Sequence, residues 1–336
     1  MGHLHCTDSL QERLADMAGL APGAALARLA AAGCTRLPFP GHGQTLARWR
    51  ALAAVGAHDL SLAKLFEGHT DALAILHEAG VDPGGPEALW GTWCAEPPDA
   101  RLLLLAAPDG GVVLSGRKAW CSGARSVSHA VVSCWNERGE PMLAALDLRQ
   151  GGVQVTNDGW QAVGMQGSGS VDVHFERAAA TPLGAAGFYV ARAGFWHGGA
   201  GVAACWFGAA TRLAEALRAR VAGQQDPHRL AQLGEVTVAL HASAALMREA
   251  AAAIDRAPQA NAMSTALTVR LSVEAAATAT LHAAGKALGA GPLCKDGAIA
   301  RLYADLPVFM RQSHAERDLE AVGRIVGGAQ ERPWTL

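Results

Sequence analysis

The chain has 336 residues, 50% of them hydrophobic and 17% charged, which is more than one ordinary core holds, so two or three domains are expected. Its 28 basic and 30 acidic side chains nearly cancel, and no lysine or arginine run could track a phosphate backbone, so nucleic acid is excluded from the expected partners. Seven cysteines without a CxxC pair point to reduced thiols in a cytoplasmic protein rather than to a disulfide framework or a zinc site.

The amino terminus lacks the basic, apolar and small-residue order of a signal peptide. The most apolar run, 200–210, is too short and too glycine-rich to cross a bilayer, so neither a spanning helix nor a membrane partner is expected. Ser9 and Glu12 have the S-x-x-E spacing of a capping box, and Leu10, Leu14, Met17 and Leu20 follow at helical period. Further helices are expected over 25–32, 46–55 and 60–79. The proline-rich link 37–43 precedes the second of these, and Asp59 caps the third.

From Ala88 the apolar period changes to two. Short strands are expected over 89–95, 102–106, 112–118, 130–135, 142–147, 153–156 and 171–175, separated by turn-forming sets such as 108–111 and 136–141. This pattern predicts a small antiparallel barrel or sandwich, with Val171, Val173 and Phe175 on a core face and Asp172 and His174 opposite. After Pro182 the helical period returns, over 188–221, 228–255, 263–288 and 296–323, and short links between these helices predict an antiparallel bundle. The tail 327–336 is expected to fray or to pack on a neighbour. The expected fold class is therefore α+β: an N-terminal α-helical domain (1–86), a central small antiparallel β-barrel (87–180) and a C-terminal four-helix bundle (181–336). The small-residue faces of that bundle favour self-association as a symmetric homodimer or homotetramer.

The segment GRKAWCSGA, 116–124, sets a flat indole, Trp120, two residues before a small hydroxyl, Ser122, where a strand gives way to a loop at Gly123. On a regular strand these two side chains share a side, so the indole can wall one face of a planar ligand while the hydroxyl bonds its edge. A core tryptophan beside a turn serine is the plainer reading of the pair taken alone.

Helices, small barrel and helical bundle, in that order, resemble the acyl-CoA dehydrogenase family of flavoproteins, and the local sequence agrees. AEPP at 95–98 is similar to that family's Thr-Glu-Pro strand end, and 116–124 to its Gly-x-Lys-x-Trp-Ile-Thr-Asn segment. Residues 164–175 are similar to its Gly-x-x-x-Ser-x-x-x-x-x-Phe strand, and AGKALGAGPL at 284–293 to its glycine-rich helix end near the cofactor's adenine half. The resemblance implies FAD. It sets Trp120 beside the isoalloxazine ring and gives Ser122 the hydroxyl that bonds flavin N5, as a donor. It brings the backbone of Cys94, Ala95 and Glu96 to the pyrimidine edge, and Gly289 and Gly291 toward the adenine half.

The chain also departs from that pattern. Ala100, Arg101 and Leu102 replace a Gly-Ser-Asp loop, where Arg101 either supplies a guanidinium to a phosphate or is simply solvated. The link 223–228 stands where an Arg-x-x-Phe-Gly stretch would reach a neighbouring subunit's pyrophosphate. The carboxylate that takes the substrate's α-proton falls, by position, on Ser313 and His314 or near Arg192, and neither place holds one. A histidine there is a feature of the flavin monooxygenase relatives, and QSHAERDL at 312–319 resembles their C-terminal helix. His314 is then a candidate to donate or accept a proton, the alternative being a solvated polar helix face.

Two weaker sets remain. His69 and Asp71 lie on different faces of one helix, which fits a buried polar contact or a cleft wall but not a metal pair. Phe195, Trp196 and His197 open the first bundle helix, where the family's acyl pocket would be bordered. The leading expectation is an FAD-dependent, acyl-CoA dehydrogenase-like oxidoreductase acting on the CH-CH group of an acyl thioester such as an acyl-CoA, or on a related small carbonyl substrate. Two alternatives stay open. One is a flavin-dependent monooxygenase or oxidase of the same fold working through His314. The other is a flavin-free fold relative that serves as a binding or assembly partner.

Overall fold

The computed structural model describes residues 4–223, 225–330 and 334. The chain divides into two compact units, Met1–Leu37 with Ser61–Phe195, and Pro38–Leu60 with Trp196–Leu336. The early helices are α1 (Leu4–Ala15), α2 (Pro22–Ala31), α3 (Thr45–His58) and α4 (Leu60–Glu78). The first, second and all but Leu60 of the fourth belong to the first unit, and α3 to the second. Ser9 lies inside α1 instead of capping it, because the chain is already helical from Leu4. Leu10, Leu14 and Met17 form its buried stripe. Pro22 opens α2 at a position where its missing N–H costs nothing.

The barrel strands are β1 (Trp90–Trp93), β2 (Leu102–Ala106), β3 (Val112–Cys121), β4 (His129–Trp135), β5 (Pro141–Asp147), β6 (Val153–Val155) and β7 (Val171–Pro182). The path β4-β2-β3-β7-β5 closes on itself through β4 and β5, while β1 adds to β4 and β6 to β7. Closure removes the exposed sheet edges that a small open sheet would carry. The barrel is mixed where an antiparallel one was expected: β1 runs parallel to β4, from Trp90 opposite His129 to Trp93 opposite Val132. The β2–β3 hairpin between them supplies the crossover length that parallel pairing needs. Leu102, Leu114, Val131, Val132, Ala144, Val173 and Ala178 are fully buried in this unit, each large side chain contributing about 1.5–3 kcal/mol of apolar burial. Asp172, expected to face away from the core, is buried, and Arg117 Nη1 compensates it at 2.6 Å.

The later helices are α5 (Phe188–Ala191), α6 (Gly194–Val221), α7 (Pro227–Arg256), α8 (Met263–Leu288), α9 (Ala290–Lys295), α10 (Gly297–Phe309) and α11 (Glu316–Gly327). Two of the expected helices are broken. The first breaks at Arg192, whose backbone is extended at φ -61°, ψ 143°. The second breaks at 313–315, where Ala315 takes a left-handed φ of 46°. In the second unit Trp206 of α6 is fully buried, with the Phe309 ring edge-on to it and the Arg270 guanidinium 5.0 Å from its centroid. Ser243 of α7 and Ser272 of α8 share a hydroxyl hydrogen bond of 3.0 Å. The α3 start is tied to the end of α7, Thr45 donating its N–H and its hydroxyl to Asp255.

Contrary to expectation, α7 is long and apolar enough to cross a membrane by length and composition alone. Its hydropathy is spread over many alanines, not concentrated in one dense run. Part of the tail expected to fray, 331–333 and 335–336, lies outside the described residues.

Candidate functional site

Strand β3 does not reach Trp120 as a regular strand. Its register against β7 shifts between Lys118 and Cys121, and Trp120 sits in that irregularity with φ 58°. A left-handed bulky residue costs on the order of 1–2 kcal/mol, and such strain persists where surrounding contacts impose it. The bulge removes the simple alternation from which a shared side for Trp120 and Ser122 was expected. It also leaves the indole 50% exposed, an apolar plane without a complete cover.

Ser122, next beyond the strand, is fixed from three directions. Its carbonyl accepts from Trp93 Nε1 at 3.0 Å, and the N–H of Gly123 donates to the Ser168 carbonyl at 2.8 Å. Its hydroxyl lies 2.8 Å from that of Ser170, which lies 2.8 Å from that of Ser168, which donates to the Met165 carbonyl at 2.7 Å. Ser168 and Ser170 are buried, whereas Ser122 is half-buried, so the hydroxyl line runs from the interior to a surface rim beside Trp120. Gly167 admits this turn: a Cβ there would stand 3.0 Å from Ser61 Oγ.

The segment following β1, with Cys94, Ala95 and Glu96, is anchored by a buried cation. Lys118 Nζ donates to Glu96 Oε1, to the Ser133 hydroxyl at 2.7 Å and to the Ser133 carbonyl at 2.8 Å. Trp135 Nε1 donates to Glu96 Oε2 at 2.9 Å. Burial works against the Glu96 charge, but the Lys118, Ser133 and Trp135 hydrogen bonds outweigh it and hold the carboxyl below its ordinary range. The Glu96 side chain is therefore spent on the barrel, leaving main chain as what this segment can offer a ligand. Burial also lifts the Cys94 thiol to about 11 and the Cys134 thiol to about 12, with the Lys118 ammonium a smaller opposing influence. Arg101 lies with its guanidinium 5.2 Å from the Trp135 ring centroid, an exposed cation on an indole.

A second buried cluster in the same unit occupies one of the places where the proton-abstracting carboxylate was sought. Arg192 Nη1 donates to Glu78 at 2.8 Å and Nη2 to Asp71 at 3.2 Å, with the guanidinium 5.5 Å from the Tyr189 ring centroid. Both carboxylates come from α4 and are committed to a cation. His69, also on α4, accepts from the Trp90 N–H through Nδ1 at 3.1 Å, and burial lowers its pKa to about 4. It is a neutral contact between helix and strand, with its proton on Nε2.

Of the remaining expected residues Phe195 ends the first unit, and Trp196, His197, Gly289, Gly291 and His314 belong to the second. His314 lies in the break before α11, not within a helix. Its N–H donates to Asp318 at 3.0 Å and its exposed ring stands 3.5 Å from the same carboxylate. Gly289 ends α8 at φ 67°, ψ -169°, a region only glycine enters freely, and Gly291 lies in α9. His197 Nε2 donates to the Pro258 carbonyl at 3.0 Å, which sets the proton on that nitrogen. Among the described residues no cluster of histidine, cysteine and carboxylate groups has the make-up of a metal site.

Sequence reasoning missed Ser168, Ser170, Lys118 and the Arg192 cluster. Ser168 and Ser170 are two residues apart, but their link to Ser122 spans 48 residues from Ser170, Lys118 and Glu96 are 22 apart and Arg192 and Glu78 are 114 apart, and no local spacing signals these.

No protein-family profile and no curated protein sequence matches the chain. Solved structures do. KijD3, in complex with FMN and dTDP-3-amino-2,3,6-trideoxy-4-keto-3-methyl-D-glucose, superposes with a TM-score of 0.82 at 20% identity, over 99% of this chain and 95% of that one. TdsC from Paenibacillus sp. A11-2, in complex with FMN and indole, gives 0.79 at 18% identity over 98% and 99%. Methanesulfinate monooxygenase MsuC from Pseudomonas fluorescens gives 0.80 at 20% identity over 98% of each chain. These proteins have the acyl-CoA dehydrogenase fold, and this chain shares it.

Proposed function

We propose that the chain is a flavin-dependent monooxygenase that binds FMN and oxidises a small organic molecule. The observation that carries this reading is the rim formed by the half-exposed, strained Trp120 and the anchored Ser122. An uncovered indole plane beside a fixed hydroxyl fits a planar heteroaromatic ring, and the backbone of Cys94, Ala95 and Glu96, anchored by Lys118, fits a polar ring edge. FMN is preferred over the FAD implied by the family resemblance. KijD3 and TdsC are named with FMN, and the stretch expected to grip a pyrophosphate is replaced at 223–228.

Oxygenation is favoured over dehydrogenation of an acyl thioester by Arg192. A dehydrogenase base must be an available carboxylate, whereas here a guanidinium holds Asp71 and Glu78. Bound reduced flavin would supply the two electrons with which dioxygen gives one atom to the substrate and one to water. The part proposed for the first unit is to wall a ring face with Trp120 and to bond the ring edge at Ser122, and the part proposed for His314, in the second unit, is to move a proton. MsuC and TdsC, named as methanesulfinate and dibenzothiophene monooxygenases, support a substrate oxidised at a heteroatom.

Titration of purified protein with oxidised and anaerobically reduced FMN and FAD tests the cofactor. Oxygen uptake by the reduced complex, with and without small sulfur or nitrogen compounds, tests the reaction. Bleaching of bound flavin by an acyl-CoA panel would instead favour the dehydrogenase. A His314→Gln variant is expected to bind flavin normally and turn over several-fold more slowly; full turnover removes His314 from the proton step.

A further inference from the structure

The hydroxyl line behind Ser122 has a fixed direction. A carbonyl oxygen only accepts, so Ser168, bonded to the Met165 carbonyl at 2.7 Å, has committed its one hydroxyl proton there. The 2.8 Å contact between Ser168 and Ser170 then needs its proton from Ser170, and the 2.8 Å contact between Ser170 and Ser122 needs its proton from Ser122. The opposite order would set two oxygens against each other at hydrogen-bond distance with no proton between them. Ser168 is 1% exposed and Ser170 4%, so solvent is a poor substitute for either partner. Ser122 is thereby left with lone pairs only. At the rim beside Trp120 its oxygen accepts and cannot donate.

We infer that Ser168 and Ser170 are positioning residues that make Ser122 select flavin carrying hydrogen on N5, the reduced form, over oxidised flavin. The inference rests on the flavin reading above. Oxidised flavin has a lone pair at N5 and would ask the Ser122 oxygen for a proton already given to Ser170. Reduced flavin has an N–H there and finds the acceptor it needs. The polarity reverses the donor role that family resemblance implies for this hydroxyl.

The test is anaerobic equilibrium dialysis of the purified protein against oxidised FMN and against chemically reduced FMN. Wild type is expected to bind the reduced form about five- to tenfold more tightly, the factor set by one made against one frustrated hydrogen bond. Ser168→Ala and Ser170→Ala each free the Ser122 proton, and each should bring the ratio close to one, mainly by tightening oxidised FMN. Ser170→Thr keeps the hydroxyl and should keep the ratio. Far-ultraviolet circular dichroism checks that each variant is folded, and Ser168→Ala reads the same line if Ser170→Ala is not. Equal affinity of wild type for both forms overturns the inference, as does an unchanged ratio in the folded alanine variants. Binding of neither form by wild type is a separate result that removes the flavin reading and this inference with it.

Discussion

Lys118 meets Glu96 inside the barrel: an ammonium 2% exposed on β3 pairs with a carboxylate from the segment after β1, and Ser133 of β4 satisfies the rest of the cation. Three otherwise separate pieces of chain are joined by one side chain. Removing a partner from a buried pair strands the other charge, a loss of about 3 kcal/mol or more. Lys118→Met should lower the unfolding free energy by about that amount in urea titrations, and the double variant Lys118→Met with Glu96→Leu should recover most of it. Equal loss in the single and double variants would show that the pair, as a pair, is unimportant.

Trp120 carries its strain for little folding return, since half of its surface faces solvent. Trp120→Gly relieves the left-handed conformation, so stability should stay within about 1 kcal/mol of wild type. Flavin affinity should fall about fivefold to tenfold with the lost ring contact. A variant that unfolds more easily yet binds flavin as before would assign the indole to the core.

Gly116 is held by a neighbour. Its φ is 125°, and a Cβ there would lie 2.3 Å from the Arg101 carbonyl oxygen. Gly116→Ala should cost about 3 kcal/mol by forcing β2 and β3 apart at the barrel's seam. Thermal unfolding followed by circular dichroism reads this directly, and an unchanged midpoint would count against the predicted clash.

His69 gives the fold a pH dependence with a definite sign. Its folded pKa is about 4, and its unfolded value is about 6.5. Between those values the unfolded chain binds more protons, so stability is full above the upper value and is lost as pH falls toward the lower one. The loss is about 3 kcal/mol across the window. His69→Gln keeps an acceptor for the Trp90 N–H but does not titrate, so the difference between wild type and variant in urea midpoints at pH 7 and pH 4.5 isolates the effect. Parallel behaviour of the two proteins would show that His69 titrates normally.

How far the chain could be read in advance depended on the range of the forces involved. Strand β2 was legible to the residue and most others nearly so, because alternation and turn residues are local, but β7 runs on past the expected Phe175 to Pro182. The parallel placement of β1 on β4 was not, since the same alternation serves either direction. The spacing of Trp120 and Ser122 is local, but the bulge between Lys118 and Cys121, which takes away the alternation of a regular strand, is not written in that spacing. The break at 313–315 was hidden because apolar spacing continues on both sides of it. Only the left-handed Ala315 and the Asp318 carboxylate, turned back to the His314 N–H, mark where one helix stops. Arg192 looked like a gap in a motif. Its two partners lie 114 and 121 residues away, and only the folded chain joins them.

The barrel's sulfur follows from the same burial. Cys94, Cys121 and Cys134 all feel the charge of the Lys118 ammonium, which would ordinarily sharpen a thiol into a nucleophile, yet desolvation wins at each and all three remain protonated near neutrality. A thiol that does not ionise is a poor target for peroxide or alkylating agents. Cys121 can therefore sit between the rim residues Trp120 and Ser122 and still tolerate an oxidant nearby, while Cys294, exposed on α9, is left as the accessible thiol of the second unit.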